Sequence, residues 1–387
     1  MDNLYNLRGV SSKKEDLYNI LKKIKKSEIN NTFCNISKNL FSYLNNEVYS
    51  IMHSDGCGTK SILAYMYWKE TGDTSIWKNV VQDALVMNID DMLCSGALGP
   101  YYASLIINRN LFKIPYEVIN SIISSFYQLS CEFKEIGIDL IPTGGETADL
   151  GDIVKTITID ISLFTLIHKK DILQIDIKEN DVIVGLASDG KLSYENAYNS
   201  GIGSNGITLA RHELLSHSYK INFPETFDNS IHDDLIYRGK FKLTDIIEGY
   251  SIAELLLSPT RTYYPIIKEV LENYKKEISA IIHCTGGGQT KVLKYLNKNL
   301  HIIKNNLFEL PLVFKLIMEN TNISLKQMYE VFNMGHRIEI YTNNDVANEI
   351  MKIAKKYNLE SKVIGFCKKA NERMLSILIE DKELVYK

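Results

Sequence analysis

The stretch at residues 55–60, Asp-Gly-Cys-Gly-Thr-Lys, constrains the fold most, because it joins a short apolar segment to an amphipathic helix predicted for 61–70. Its glycines let the backbone turn tightly and approach a ligand closely. The helix N-terminus that follows presents unpaired N–H groups and a positive dipole to an anion. Lys60 suits a phosphate and Asp55 a hard cation, so the stretch predicts a site for a metal-bound polyphosphate. A simple loop with an Asp–Lys ion pair fits these six residues equally well.

A second predicted helix, from about residue 75 to the Ser-Gly pair at 95–96, carries three carboxylates. Asp83 and Asp90 are seven residues apart and therefore share one helical stripe, and Asp91 adjoins Asp90. A negative surface balanced by nearby lysines is one interpretation. Acids near a helix C-terminus oppose the helix dipole, however, and this favours a bound cation.

The next acidic cluster is predicted in a second glycine-rich turn. A strand at 138–143 leads into Gly144-Gly145-Glu146-Thr147-Ala148-Asp149, and an alternating strand pattern follows at 153–167. Each acidic segment is weak evidence alone. Together with the acidic helix end they predict several oxygen ligands around Mg²⁺, and Mg²⁺ with phosphate is typical of a nucleotide site.

A polar link at 168–180 predicts a boundary between an N-terminal unit, 1–168, and a C-terminal unit, 180–387. Beyond a strand at 182–187, residues 201–206 spell G-x-G-x-x-G before a helix predicted for 207–215. A dinucleotide site is rejected, because about a dozen residues separate strand and glycines and no apolar strand follows the helix. What remains is a Ser/Asn-capped, glycine-rich helix start that can bind phosphate.

Three consecutive glycines form a further candidate anion site. A buried strand predicted for 278–284 is followed by Thr285-Gly286-Gly287-Gly288 and a helix predicted for 289–296. The loop can form an anion nest, and it lacks the Gly-Lys-Ser/Thr triplet of a Walker A loop. His283 at the strand end suits a phosphate contact or acid–base chemistry, with a structural role equally open. Arg261 has the geometry for bidentate phosphate binding.

Charge and cysteine usage exclude other classes of function. The net charge of -3 over 387 residues favours neither nucleic acid nor an anionic membrane as a partner. Six scattered cysteines form no C-x-x-C pair, which is typical of a reducing cytosol and argues against structural zinc. No apolar run approaches membrane-spanning length, so we expect a cytoplasmic protein.

The order of these motifs resembles that of the aminoimidazole ribonucleotide synthetase family, also called phosphoribosylformylglycinamidine cyclo-ligases. Seven family motifs follow one another in the family's order. They are D-G-V-G-T-K at 55–60, D-x-x-A-M-x-V-N-D with changes at 83–91, G-G-E-T-A-E at 144–149, part of H-S-N-G at 204–206, T-P-T-R at 258–261, H-I-T-G-G-G at 283–288 and F-N-M-G at 332–335. Together they cover most of the chain.

The resemblance implies a two-domain α/β (α+β) fold. The N-terminal sheets of two subunits would form a β-barrel across a homodimer interface, and a C-terminal α/β domain with a mixed sheet would pack beside it. The resemblance also implies ATP and Mg²⁺ between the domains, with the need for K⁺ left open, and a small-molecule ribonucleotide substrate. The implied reaction is the ATP-dependent ring closure of formylglycinamidine ribonucleotide to aminoimidazole ribonucleotide in purine biosynthesis. The formyl oxygen would attack the γ-phosphate, and ring closure would then expel phosphate.

The site residues that the resemblance implies fall into four groups. Catalytic roles fall to Lys60, Asp91 and His283; ATP and its phosphates to Asp55, Gly56, Gly58, Thr59, Lys60, Gly144, Gly145 and Thr147; the substrate to Ser204, Asn205, Gly206, Arg261, Gly286, Gly287, Gly288 and Asn333; and the metal to Asp55, Asp83, Asp90, Asp91, Glu146 and Asp149. Asp55, Asp91 and Glu146 are the expected centre of the metal site.

Two departures from the family pattern bear on the substrate. Gly203 stands where the family has the histidine of H-S-N-G, after an insert at 189–200, and Arg337 stands where it has a second glycine. Three histidines, 212, 283 and 336, are candidates for supplying the missing imidazole.

The alternatives are another ATP-using enzyme of the same superfamily, such as a small-molecule kinase or a selenophosphate synthetase, and a non-catalytic paralogue that binds ATP or a purine intermediate. Selenophosphate synthetase would want a cysteine near the N-terminus, and none precedes Cys34. The paralogue is disfavoured because clustered carboxylates are costly without a cation.

Overall fold

The computed structural model describes residues 3–11, 29–39 and 47–387. A basic helix that the sequence predicts within the first 50 residues lies outside these ranges. The helices are α1 (Lys60–Thr71), α2 (Trp77–Leu93), α3 (Tyr116–Glu135), α4 (Ile207–Leu214), α5 (Ser218–Asn222), α6 (Ile252–Leu256), α7 (Tyr264–Tyr274), α8 (Leu312–Glu319), α9 (Leu325–Val331) and α10 (Asn344–Lys356). The strands are β1 (Ser37–Lys38), β2 (Val48–Gly56), β3 (Tyr101–Arg109), β4 (Leu140–Asp149), β5 (Ile157–His168), β6 (Val182–Ala187), β7 (Ile246–Ile247), β8 (Tyr250–Ser251), β9 (Ile278–His283), β10 (Leu300–Lys304), β11 (His336–Thr342), β12 (Ser361–Lys369), β13 (Met374–Ile379) and β14 (Lys382–Tyr386).

The first sheet has the strand order β1-β2-β5-β3-β4. Its neighbouring strands are antiparallel except for the parallel pair β3 and β4. Because side chains alternate along a strand, β5 turns residues such as Ile161 and Leu163 inward and Phe164 and Leu166 outward. Helix α2 packs on the inward face of β2 and β5, and α3 packs on α2. Among the described residues, α2 and α3 thus both lie on the inward side of the sheet.

The second sheet is mixed, with the order β14-β13-β10-β12-β6-β11-β9. Strands β10 and β13 are its parallel pair, and its remaining pairs are antiparallel. The inner strands β6 and β11 and the edge strand β9 are buried almost throughout. The two sheets confirm the expected two-domain α/β architecture with mixed sheets.

Two local predictions are wrong. Residues 144–149 are not a turn, because they continue strand β4, where β3 supplies their hydrogen-bond partners after a bulge. Residues 289–296 are not an α-helix, because Gly288–Lys294 forms a 3₁₀-helix whose buried Gln289 amide donates to the carbonyl oxygens of Asn333 and His336. In a 3₁₀-helix, positions three apart align, so Lys291 and Lys294 lie on the same side.

None of the helices in the described part of the chain combines the length and the apolar composition that a bilayer crossing requires.

Candidate active site

Loops from both sheets meet at a cavity of about 610 Å³. The β2–α1 loop contributes Gly56, Gly58 and Thr59, the start of α4 contributes residues 204–206, and the loop after β9 contributes Gly286 and Gly287. The Thr59 and Thr208 hydroxyl oxygens are 2.8 Å apart and join the first two segments. Gly58 has φ of 56° and Gly206 of 77°, in the left-handed region that favours glycine. The structure thus brings together three glycine-rich segments that are far apart in the sequence.

Two of the predicted carboxylates line this cavity. Asp55 stands near the end of β2, and Asp91 stands near the end of α2. Burial raises the pKa of Asp55, and the charge of Asp91 raises it further. Burial acts on Asp91 in the same direction, but Lys291 and the hydrogen bond from His283 outweigh it and hold the pKa of Asp91 below its ordinary value. Asp91 is therefore ionised, while burial and the negative charge of Asp91 outweigh the effect of Lys291 on the pKa of Asp55.

His283 lies behind Asp91 and is fully buried. Its Nδ1 is 2.7 Å from Asp91 Oδ1, and its Nε2 is 3.2 Å from Arg337 Nη2. Burial lowers the pKa of His283 to about 4, so the ring is neutral at pH 7 although Asp91 favours its charged form. Both ring nitrogens are engaged, and this geometry gives no support to a direct acid–base or substrate contact by His283.

The sequence reasoning missed Asp160 and Lys291, which line the cavity, and His53, which lies beside Asp91. His53 Nε2 lies 3.5 Å from Asp91 Oδ2. The sequence contained a signal for His53, because His53 and Asp55 are two residues apart in β2 and therefore share one face of the strand. Asp160 lies opposite Gly56 in the register of β2 and β5 and also lines the cavity. Lys291 lines the cavity from the 3₁₀-helix, where its ammonium donates to the Thr285 hydroxyl and lies 4.7 Å from the centre of the Phe33 ring.

Lys60 does not reach the cavity, contrary to the prediction that it holds ATP phosphates and is catalytic. Its side chain is fully buried, and its Nζ lies 3.0 Å from Asp83 Oδ1, 3.1 Å from the Gly203 carbonyl oxygen and 2.5 Å from the Ser258 carbonyl oxygen. A lysine ammonium has three donors, and all three are used here. Lys60 therefore connects helix α1 to the loops that carry Gly203 and Ser258.

Asp83 and Asp90 are likewise structural rather than metal ligands. Asp83 Oδ1 accepts from the Thr260 N–H at 2.7 Å and from the Thr260 hydroxyl at 2.5 Å. Asp90 accepts from the Thr262 hydroxyl at 2.7 Å and from the Tyr263 N–H at 3.2 Å. Burial raises the pKa of Asp90 to about 7, although Thr262 and Arg337 act against this. The stripe that carries these acids faces the 258–263 segment, so α2 is buried here and does not present the negative surface that was one interpretation of its sequence.

Three predicted substrate residues hold the loops rather than face the cavity. Arg261 is buried and forms a bidentate pair with Glu195, at 2.7 and 2.6 Å, inside the insert at 189–200. The Asn333 amide donates to the Gly201 carbonyl oxygen and accepts from the Gly335 N–H. At Gly288, a Cβ would lie 2.5 Å from the Phe332 carbonyl oxygen, so this glycine serves close packing.

Glu146 does not converge with Asp55 and Asp91 within one chain. Asp55 shares a row across the sheet with Ile161, Leu105 and Gly145, three strand spacings or about 14 Å from end to end. Glu146 is the next residue and projects from the opposite face. Asp149 is instead paired with Arg109 at 2.7 Å. The predicted phosphate contacts Gly144, Gly145 and Thr147 lie with Glu146 at a separate cavity of about 200 Å³ beside α3.

The donor set at the main cavity fits Mg²⁺. Asp55 and Asp91 offer carboxylate oxygens, the ligands that hard divalent cations prefer. Burial and, after it, the charge of Asp91 raise the pKa of Asp55, and a bound divalent cation would act against both effects. The backbone N–H groups of the neighbouring glycine loops suit an anion bound to the same cation.

The structure brings together a second group of residue types that can bind a metal. These are Cys284, His336 and Glu339, all buried, and the last two belong to strand β11. The Lys304 ammonium already contacts Glu339, and it also donates to the Gln289 carbonyl oxygen at 2.7 Å. His336 Nε2 lies 3.0 Å from the same Glu339 oxygen. A buried cation is therefore present, so this group is a structural ion-pair network.

Family models match most of the chain. The AIR synthase related N-terminal domain matches residues 39–167, and the AIR synthase related C-terminal domain matches residues 178–373. The chain belongs to the AIR synthase related family. Membership confirms the resemblance drawn from the seven motifs. The boundary at 168–180 stays a prediction.

Members of the AIR synthase related family with curated names support this placement. The phosphoribosylformylglycinamidine cyclo-ligase of Methanocaldococcus jannaschii is 32% identical over 320 residues, which cover 82% of this chain and 78% of the relative. The protein of the same name from Clostridium kluyveri is 26% identical over 327 residues, 83% of this chain and 82% of the relative. Since the relatives carry the name of a ligase, the expectation of an enzyme is confirmed.

Solved structures confirm the AIR synthase-like fold. Thermotoga maritima PurL in complex with FGAR superposes with a TM-score of 0.57 at 15% identity, over 97% of this chain and 49% of that chain. This chain thus spans about half the length of PurL. Thiamine-monophosphate kinase from Stenotrophomonas maltophilia superposes with a TM-score of 0.51 at 11% identity, over 86% of each chain. At such identities the likeness concerns the fold.

Proposed function

We propose that the protein is a phosphoribosylformylglycinamidine cyclo-ligase, which uses ATP to close the ring of formylglycinamidine ribonucleotide in purine biosynthesis. The observation that carries the proposal is the cavity itself, where glycine-rich loops from both halves surround the Asp55–Asp91 pair. The curated relatives that share this name extend over both halves. The reaction would take place in the cytoplasm, whose reducing conditions suit a chain with six unpaired cysteines.

The proposed roles follow the cavity lining. Asp55 and Asp91 would hold Mg²⁺, which when bound neutralises the charge on the phosphates. The β2–α1 loop, with Gly56, Gly58 and Thr59, would bind the ATP phosphates through backbone N–H groups and the hydroxyl. Residues 204–206 and the Gly286-Gly287 pair would bind the ribonucleotide, whose phosphate suits a glycine-rich helix start.

The reaction has two steps, a phosphoryl transfer to the formyl oxygen and a ring closure with loss of phosphate. The formyl oxygen attacks the γ-phosphorus, and the bond to the bridging oxygen of ADP breaks. The neighbouring amine nitrogen then attacks the formyl carbon, the bond from that carbon to the phosphorylated oxygen breaks, and phosphate and a proton leave. The chain's part is to position these groups and to compensate the charge of the phosphates. The formyl oxygen therefore ends in inorganic phosphate.

An ¹⁸O label at the formyl group tests this directly. Purified protein with ATP, Mg²⁺ and labelled formylglycinamidine ribonucleotide should release ADP and ¹⁸O-phosphate in equal amounts, and neither without the ribonucleotide. A small-molecule kinase would instead leave the label and the phosphoryl group on its product. A non-catalytic paralogue would release no ADP, and either result would refute the cyclo-ligase proposal.

Lys291 should contribute to ATP binding, because its ammonium lines the cavity and is close enough to lower the pKa of Asp91. We expect Lys291→Met to raise the KM for ATP about 10–100-fold, the loss typical of a charge-assisted hydrogen bond. Steady-state kinetics at saturating ribonucleotide measure the change. Lys298→Met is the matched control, since Lys298 pairs with Asp176 at the exposed surface. An unchanged KM and kcat in Lys291→Met would exclude this contact.

The outward face of the first sheet supports a homodimer. Met52 and Phe164 are directly paired across β2 and β5, and Phe164 and Tyr102 across β5 and β3. These three side chains, which we call the outer ridge, are exposed by 69%, 37% and 46% in the order Met52, Phe164, Tyr102. An apolar row across three strands is costly in water and typical of a subunit interface. We propose that two copies pair through this face.

Phe164→Lys at the centre of the outer ridge should convert the dimer to a monomer, because it places an ammonium group in the buried centre of the contact. Sedimentation equilibrium over a range of protein concentrations measures the dissociation constant, which we expect to rise at least about 100-fold. Ile221→Lys, at a residue that is 73% exposed on α5, is the control and should leave the dimer intact. A Phe164→Lys protein that dimerises as tightly as the unchanged protein would place the interface elsewhere.

A further inference from the structure

Position 203 has no room for a side chain, because Arg337 fills it. Gly203 has φ of +67°, and a Cβ built there would lie 2.5 Å from Arg337 Nη1 and 2.9 Å from Arg337 Cζ. Both positions are among those at which the sequence departs from the family motifs. The guanidinium at 337 thus takes the space that a side chain at 203 would need, and the two departures are sterically coupled.

Arg337 is only 2% exposed and stands at the start of β11. Its Nη2 lies 3.2 Å from His283 Nε2 and 3.7 Å from Met87 Sδ, and Met87 lines the cavity. Within the described residues, no carboxylate oxygen lies within 4.0 Å of the guanidinium nitrogens. The contact to the imidazole is therefore the main polar interaction that the structure records for this buried cation.

The direction of that hydrogen bond is settled by chemistry. A guanidinium only donates, so His283 Nε2 must accept and carries no proton. The ring proton of the neutral imidazole then sits on Nδ1, which is 2.7 Å from Asp91 Oδ1. His283 consequently donates to Asp91, and the guanidinium and the carboxylate require this same tautomer from opposite sides of the ring.

We propose that Arg337 is a positioning residue for Asp91: it holds His283 in the Nδ1–H tautomer and so keeps one fixed hydrogen-bond donor on Asp91 Oδ1. Oδ2 is then left to face the cavity beside His53, at 3.5 Å. The inference rests on the proposed function only in taking Asp91 as a cation ligand. Of the three histidines that the sequence offers in place of an imidazole at 203, it assigns a role to His283. His212 Nδ1 accepts from the Tyr237 N–H, and His336 belongs to the Glu339 network.

The tautomer can be observed by ¹H–¹⁵N correlation spectra of protein labelled on the histidine rings, with His283 assigned by its loss in His283→Gln. We expect a protonated Nδ1 and an unprotonated Nε2 in the unchanged protein and in Arg337→Lys. Arg337→Met should lose this single pattern, because a ring that is no longer held at Nε2 can turn away from Asp91 and populate both tautomers. Gly203→Ala should lose the single pattern as Arg337→Met does, because its Cβ displaces the guanidinium without removing it.

Binding of Mn²⁺, measured by electron paramagnetic resonance without nucleotide, reports on Asp91. We expect the dissociation constant to rise about 10–100-fold in Arg337→Met, as for other residues that orient a metal ligand, and less than about threefold in Arg337→Lys. His283→Gln should show the same loss, and the double variant no more than either single one, because Arg337 acts through His283.

An unchanged tautomer in Arg337→Met and Gly203→Ala, or additive losses in the double variant, would overturn the proposal. Neither readout involves turnover. A protein that fails to close the ring but shows the expected tautomer and Mn²⁺ changes would refute the cyclo-ligase proposal and leave this one standing.

Discussion

Asp91→Asn is expected to lower kcat for ring closure on the order of 10²–10³-fold, the usual cost of losing one preorganised charge beside a transferring group. Asp91 is the ionised member of the carboxylate pair, because Lys291 and His283 more than offset the effect of burial on its pKa. Asparagine retains the shape and an oxygen that accepts from His283, so the fold should persist. The measurement is ADP release at saturating ATP, Mg²⁺ and ribonucleotide, together with the thermal midpoint.

The neighbouring Asp90→Asn is the matched control for this variant. Asp90 lies on the same helix and is equally buried, but its pKa is raised to about 7, so an amide changes its charge less. We expect its kcat to stay within about tenfold of the unchanged enzyme. Unchanged turnover in Asp91→Asn would remove Asp91 from the site. If the thermal midpoint falls far enough for unfolding to account for the loss of activity, Asp91 is a structural residue instead.

Glu339→Gln is expected to lower the free energy of unfolding by about 3–5 kcal/mol, the usual cost of breaking a buried ion pair. The variant leaves the Lys304 ammonium buried without its carboxylate, although the Gln289 side-chain oxygen at 2.9 Å still accepts from it. Tyr341 also donates its hydroxyl to Glu339, at 2.7 Å. Urea unfolding followed by circular dichroism measures the loss. The control is Glu349→Gln, whose pair with Lys352 is at the surface and should be worth less than about 1 kcal/mol.

The same carboxylate should make the stability depend on pH. Burial acts to raise the pKa of Glu339, but Lys304 and His336 outweigh it, and the pKa lies at about 2. An unfolded glutamate titrates near pH 4.3, so below that pH the unfolded chain binds more protons at this position than the folded one. The contribution of Glu339 is therefore complete above about pH 4.3 and is lost as the pH falls through 2. It amounts to about 3 kcal/mol, and Glu339→Gln should lack this part of the pH profile. A profile identical in both proteins would contradict the ion-pair assignment.

Much of the secondary structure could be predicted because it depends on local patterns. Helical patterns in the sequence located α1 and α2, and the short Ile- and Val-rich run at 182–187 located β6. The two failures have a common cause. The conformation of residues 144–149 and 288–294 is set by partners distant in the sequence, strand β3 in the first case and residues 333–336 in the second.

The candidate site was predicted in its motifs but not in the direction of its side chains. Lys60 and Arg261 belong to the right motifs, yet both are buried and bind carbonyl oxygens and carboxylates of neighbouring segments. A motif records that a charged group is needed at a position. It does not record whether that charge meets a ligand or a loop that must be held in place, because partners such as Ser258 for Lys60 and Glu195 for Arg261 lie 198 and 66 residues away in the sequence.

The sequence by itself determined the family, the glycine-rich anion loops and the acids of α2, since these follow from residue type and spacing along the chain. Only the tertiary structure decided which acids meet. Strand order places Glu146 about 14 Å across the sheet from Asp55 and on the other face, while helix packing brings Asp91 to the cavity and directs Asp83 and Asp90 away from it. The same packing places Arg337 in the space beside Gly203. Carboxylates share a cation only when their oxygens come within a few ångströms, and that distance depends on how strands pair and helices pack rather than on any interval in the sequence.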